Sequence, residues 1–155
     1  MLRQPKLWVM VAVLFGTLCA ADAADRVVSY QIVNAREIPK GLTEVPGDAE
    51  AGRQLYFDRT LTGCSGCHGS PGGPGAEADP NQDAAPSLQN LARRMSPGTA
   101  RLWLVAPSIL RPDTRMPAYY AVGQRSDPKD PRYGEPILSA QEIENILAYL
   151  LRQGR

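Results

Sequence analysis

The sequence predicts an all-α fold of few helices joined by long loops, and three observations carry that reading. Ser139-Ala140-Gln141-Glu142 is a capping box, followed by an apolar stripe of Ile143, Ile146, Leu147 and Leu150 that Gly154 terminates. Ser96-Pro97 is a helix start, with serine as cap and proline at the first helical position, and Leu102, Val105 and Ala106 follow at helical spacing until Pro107 ends or kinks the run. The remaining chain is punctuated by 14 glycines and 14 prolines among 155 residues, without repeats and without a convincing sheet pattern. So little helix joined by so much loop needs something other than helix packing to fill the middle.

The elements divide the chain into three parts. Residues 1–23 read as a secretory signal: Arg3 and Lys6 form a basic start, Leu7 to Ala20 is apolar, and Ala21-Asp22-Ala23 places small residues where a signal peptidase needs them. That apolar run is shorter than the ~20 residues a membrane-spanning helix requires. A lipid-anchored cysteine at Cys19 fits poorly, because Leu18 stands where a small residue is wanted. The mature chain is thus expected in the periplasm, with no membrane attachment after cleavage. Cleavage removes two cations (Arg3, Lys6) and one anion (Asp22) from totals of 17 and 16, leaving 15 of each, a balance that argues against nucleic acid as a partner.

Residues 24–47 form an arm of extended character, with strand formers Val27, Val28, Tyr30, Ile32 and Val33 and punctuation at Pro39 and Pro46; one short strand is expected there. The domain proper is expected over 48–155. Asp48 caps a helix to about Asp58, with Glu50 in its first turn and Ala51, Leu55 and Tyr56 facing inward. From Gly63 to Gly75 six glycines and two prolines predict a loop, which Pro80 and Pro86 extend. Pro112 to Pro136 is a second proline-punctuated stretch.

Within the first loop stands Cys64-Ser65-Gly66-Cys67-His68, the attachment sequence of a c-type haem. Two thiols add across the two vinyl groups of the porphyrin, and the next residue reaches the iron from the same turn, so Cys64 and Cys67 bind the cofactor and His68 is the proximal ligand. A zinc site needs four ligands, and the mature chain offers only these two cysteines and one histidine. A thioredoxin-like CxxC would sit beside a strand-helix unit, which is absent from this pattern. One haem c therefore consumes every cysteine and histidine of the mature chain.

With His68 used, the sixth ligand is expected to be a methionine thioether, and the mature chain holds only Met95 and Met116. Met116 is favoured because Arg115-Met116-Pro117 is a proline-bounded loop able to cross the opposite haem face, whereas Met95 adjoins Arg93 and Arg94 at a helix entrance. A His68/Met116 pair would raise the reduction potential and close the iron to small molecules, which suits electron transfer. A metal-bound imidazole generally donates its other N–H to an acceptor, and a carbonyl in Ala85-Pro86-Ser87-Leu88, centred on Pro86, could serve. Trp103, Tyr119 and Tyr120 are further candidates for hydrogen bonds to the haem propionates, set against simple packing.

The order of Gly52 to Tyr56, Cys64 to His68, the Pro86 loop, Met116-Pro117 and the Tyr149-bearing terminal helix resembles the class I cytochromes c. That resemblance implies a cytochrome c fold wrapped around one covalent haem, with first and last helices crossing at Gly52 against Tyr149. Leu42-Thr43, Pro46-Gly47-Asp48, Gly52-Arg53, Met116-Pro117-Ala118-Tyr119 and the run from Gly134 to Glu144 are most similar to the monohaem SoxX subunits of the SoxAX cytochrome complexes. The long insert from Gly69 to Pro80 departs from the pattern.

The resemblance implies a periplasmic heterodimer with a SoxA-type cytochrome subunit that joins thiosulfate to a cysteine of a SoxYZ-type carrier protein and passes electrons to a cytochrome acceptor. In such an assembly, an oxidoreductase of the L-cysteine S-thiosulfotransferase type, substrate chemistry belongs to the partner and this chain relays electrons. The alternative is a free periplasmic shuttle delivering electrons to a terminal oxidase; the neutral mature charge weakens it, because shuttles often exploit a strongly charged face. A haem sensor would need an open iron site. The apolar arm suits either docking on a partner or packing on its own domain.

Overall fold

The computed structural model describes residues 27–70 and 85–153, and they form six helices: α1 (Ala49–Phe57), α2 (Cys64–His68), α3 (Leu91–Arg94), α4 (Pro97–Val105), α5 (Pro107–Leu110) and α6 (Ala140–Arg152). The signal segment with Cys19, residues 24–26 of the arm, most of the Gly69 to Pro80 insert and the Gly154 terminator lie outside the described residues.

The locally encoded caps form as their side chains dictate. Asp48 Oδ1 accepts from the Glu50 amide at 2.8 Å and opens α1, and Ser96 Oγ accepts from the Thr99 amide at 3.0 Å to open α4. At α6 both halves of the capping box close, Ser139 N donating to Glu142 Oε2 at 2.7 Å and Glu142 N to Ser139 Oγ at 3.3 Å. Pro107 breaks the α4 run, and α5 restarts on it as its first residue.

Helices α1 and α6 cross at backbone contact. A Cβ placed on Gly52 would lie 1.9 Å from the Asn145 carbonyl oxygen, and one on Gly47 would lie 2.0 Å from that of Glu144. The aromatic partner lies one turn further along than the resemblance implied: Gly52 meets Asn145 and Ile146, while Tyr149 packs on Tyr56 (centroids 5.5 Å apart) and Phe57 (6.4 Å). The buried face of α1 is correspondingly Gly52 and Tyr56, with Ala51 and Leu55 only partly covered. Tyr56, Leu102, Leu138, Ile143 and Ile146 are fully enclosed in the core.

Two expectations for the loops need correction. Among the described arm residues there is no strand, only an isolated bridge between Val33 and Glu37, whose intervening Asn34 and Ala35 turn back at φ 52°. The apolar residues of the arm divide: Ile38 and Leu42 are buried in the domain and Ile32 packs against the core, whereas Val27, Val28, Tyr30 and Val33 remain exposed. The Cys64–His68 segment, read as loop from its glycines, is a helical turn.

The arm is joined to the domain by a buried ion pair. Arg101 on α4 and Glu144 on α6, with side chains 7% and 9% exposed, form a bidentate contact (Nε to Oε1 2.7 Å, Nη2 to Oε2 3.0 Å). Arg101 Nη1 also donates to the Ile38 carbonyl at 2.6 Å, and the Leu42 amide donates to Glu144 Oε1 at 2.9 Å. All three guanidinium nitrogens donate and both carboxylate oxygens accept, which is what permits two charges to be buried.

Candidate functional site

The site begins where α1 ends. Asp58 turns the chain by accepting from the Thr60 amide and hydroxyl and the Leu61 amide through Oδ1, at 2.9, 2.7 and 3.0 Å, and these bonds, the Thr60 hydroxyl foremost, hold its carboxyl below the usual carboxylate range. Thr62 follows, nearly buried, its hydroxyl donating to the Leu55 carbonyl at 2.7 Å. Gly63, at φ 64°, then starts α2, and Gly69, at φ 68°, ends it.

The turn of α2 sets out three functional side chains. Cys64 is buried and Cys67 exposed; neither is in a disulfide. Burial pushes the Cys64 thiol up, so it is protonated at neutral pH and is no self-activated nucleophile. A Cβ on Gly66, between the two cysteines, would meet nothing within 4 Å, so the helix has open space alongside it. His68 Nδ1 lies 2.8 Å from the Pro86 carbonyl oxygen. A carbonyl only accepts, so Nδ1 carries the proton and Nε2 carries the lone pair, the tautomer a metal ligand needs. The Pro86 loop is itself held from α3, since Arg94 Nη2 donates to the Ser87 carbonyl at 2.5 Å.

Met116 is half-buried against the core, its amide donating to Thr114 Oγ1 at 3.2 Å; Met95, the other candidate, is also half-buried, as the C-cap of α3. The two differ in what connects them to α2. Three residues beyond Met116, the Tyr119 hydroxyl donates to the Thr62 carbonyl at 2.7 Å and lies 3.8 Å from Cys64 Sγ. That single phenolic proton is therefore committed to protein, which removes Tyr119 as a donor to a propionate. The Tyr120 hydroxyl accepts from the Val28 amide at 2.7 Å, and Trp103 is half-buried on α4. At the far end of α2 the Tyr56 hydroxyl donates to the Gly69 carbonyl at 2.7 Å. Burial raises the pKa of both Tyr56 and Tyr119, so both remain donors. Sequence reasoning took Tyr56 as core and did not anticipate either hydroxyl contact; nothing in local periodicity marks a tyrosine as reaching a carbonyl.

The donor set therefore fits a covalently held porphyrin: two unpaired thiols on one helical turn, open space beside them, and an imidazole fixed in the ligand tautomer. A family model for cytochrome c matches residues 49–153, and the chain belongs to the cytochrome c family, electron-transfer proteins whose cofactor is haem c. Among solved structures it is similar to a chain of the SoxXA crystal structure from P. pantotrophus, with 26% sequence identity and a TM-score of 0.63, over 79% of this chain and 93% of that one. It is a class I cytochrome c, SoxX-like and all-α. No curated protein matches it in sequence. Among the described residues no helix is long and apolar enough to cross a membrane.

Proposed function

We propose that this cytochrome is the electron-relaying subunit of a SoxAX-type sulfur-oxidising complex, carrying one haem attached through Cys64 and Cys67 and ligated by His68 and Met116. The similarity to SoxXA, which extends over almost the whole of that chain, is the observation that supports the assembly. The bound haem supplies a one-electron couple. The protein's own residues supply its setting: the Pro86 carbonyl orients His68, and Tyr119 ties the Met116 loop to the attachment helix. With both cysteines used for attachment, the chain retains no nucleophile for thiosulfate, so substrate chemistry falls to a SoxA-type partner acting on a SoxYZ-type carrier. Signal cleavage near Ala23 would place the mature chain in the periplasm.

The free-shuttle reading gains nothing from the arm, whose Ile38 and Leu42 are built into the domain while Val27, Val28, Tyr30 and Val33 stay exposed. Affinity capture of this protein from cells grown on thiosulfate discriminates the two. A second cytochrome recovered in stoichiometric amount is expected; recovery of this chain alone refutes the subunit assignment.

A further inference from the structure

The attachment helix α2 has only five residues, and both flanking positions are glycines at positive φ. A single helical turn is a nucleus that does not sustain itself, and glycines at its ends add freedom. Its own backbone closes it with Gly66 N to Gly63 O at 3.0 Å and Gly69 N to Ser65 O at 3.1 Å. Outside the turn, two tyrosine hydroxyls from different parts of the fold reach its two ends. Tyr119, beyond the Met116 loop, donates to the Thr62 carbonyl just before the turn; Tyr56, on α1, donates to the Gly69 carbonyl just after it. Both phenols are buried, and each is fixed in turn. Tyr119 N donates to Leu104 O at 3.0 Å and Tyr119 O accepts from Leu138 N at 2.9 Å, while Tyr56 packs on Tyr149 of α6.

We propose that Tyr56 and Tyr119 are a pair of positioning residues that clamp the two ends of the Cys64–His68 turn, fixing how it presents its side chains to the haem. The inference rests on the reading of Cys64, Cys67 and His68 as attachment and ligand residues. Neither tyrosine is assigned a contact with the cofactor. Their effect passes through the backbone: the Thr62 carbonyl sets where Cys64 begins, the Gly69 carbonyl sets where His68 ends, and the imidazole is thereby held in line with the Pro86 carbonyl. Because Tyr119 follows Met116 by three residues, the clamp also fixes the Met116 loop relative to the attachment turn.

Tyr56→Phe and Tyr119→Phe keep the buried rings and remove only the hydroxyls. Covalent haem is first established by mass on the wild-type holoprotein. Hydrogen exchange and the reduction potential are then measured on both variants, with Ile38→Val, a packing change in the arm, as the control for general destabilisation. Loss of either hydroxyl is expected to speed amide exchange within 63–69 by about tenfold, the loss expected for one buried hydrogen bond. The potential is expected to fall as water gains access to a loosened site, whereas Ile38→Val lowers thermal stability and leaves the potential alone. Potentials in both Phe variants equal to wild type overturn the clamp, whatever their stability. A wild-type chain without covalent haem refutes the attachment reading itself, so the two failures are distinguishable.

Discussion

Gly52→Ala reverses the sign that helix propensity alone predicts. In an isolated helix the change is stabilising by about 1 kcal/mol, because alanine restricts the unfolded backbone. In this protein the new methyl would stand 1.9 Å from the Asn145 carbonyl oxygen and 2.3 Å from its carbon, both backbone atoms of α6 that no rotamer change can move. Ordinary contact begins near 3.4 Å, so the helices must part by more than an ångström, and the Tyr56–Tyr149 and Phe57–Tyr149 contacts part with them. Overpacking of this kind typically costs up to about 3 kcal/mol, and more where the obstacle is rigid. Set against the propensity gain, the net loss is about 2 kcal/mol. For a domain near 100 residues that lowers Tm by roughly 8–16 °C. Thermal unfolding followed by far-ultraviolet circular dichroism reads it directly. A Tm equal to or above wild type would refute the close crossing of α1 and α6.

Other outcomes follow from the same structure. Arg101→Met leaves Glu144 buried without its charge partner and should cost about 3–5 kcal/mol, read as a lower urea midpoint; the arm should also become cleavable by protease near Ile38, whose carbonyl loses its donor. Met116→Leu should abolish the sulfur-to-iron charge-transfer band and lower the reduction potential; an unchanged band and potential would transfer the ligand role elsewhere. The Asp58 turn carries a pH signature. Its carboxyl titrates lower in the folded chain than in the unfolded one, so its contribution is present above about pH 4 and is lost as pH falls through the depressed folded value. Asp58→Asn should therefore flatten part of the acid limb of a stability profile.

The parts of the fold legible in the sequence are those fixed by neighbours along the chain. Asp48, Ser96 and the Ser139/Glu142 box each satisfy amides two or three residues away, and all three helices begin where these residues stand. The contact of His68 with the Pro86 carbonyl was legible for a related reason: an imidazole that serves as a ligand needs an acceptor for its other N–H, which restricts residue type and spacing. The Cys64–His68 turn was not, because its glycines argue against helix and the bonds that hold it come from Tyr56, 13 positions before Gly69, and Tyr119, 57 positions after Thr62. The Arg101–Glu144 pair was invisible for another reason. Periodicity assigns charged residues to the solvent face, and only the tertiary fold brings the two together with the arm backbone. The crossing residue opposite Gly52 was displaced by one turn because an aromatic can lean back along its helix, while the backbone contact falls where the two axes approach.

Either side of the stretch that separates His68 from Pro86, 18 positions apart, the chain is moored: at Gly69 by Tyr56, at Pro86 by His68 and at Ser87 by Arg94. The three anchors reach in from α1, α2 and α3, so the imidazole and its acceptor are held from the domain side of both borders. The orientation of His68 is thus shared among three helices, so releasing the Ser87 carbonyl from Arg94 on α3 acts on the imidazole through the Pro86 carbonyl without touching the ring itself.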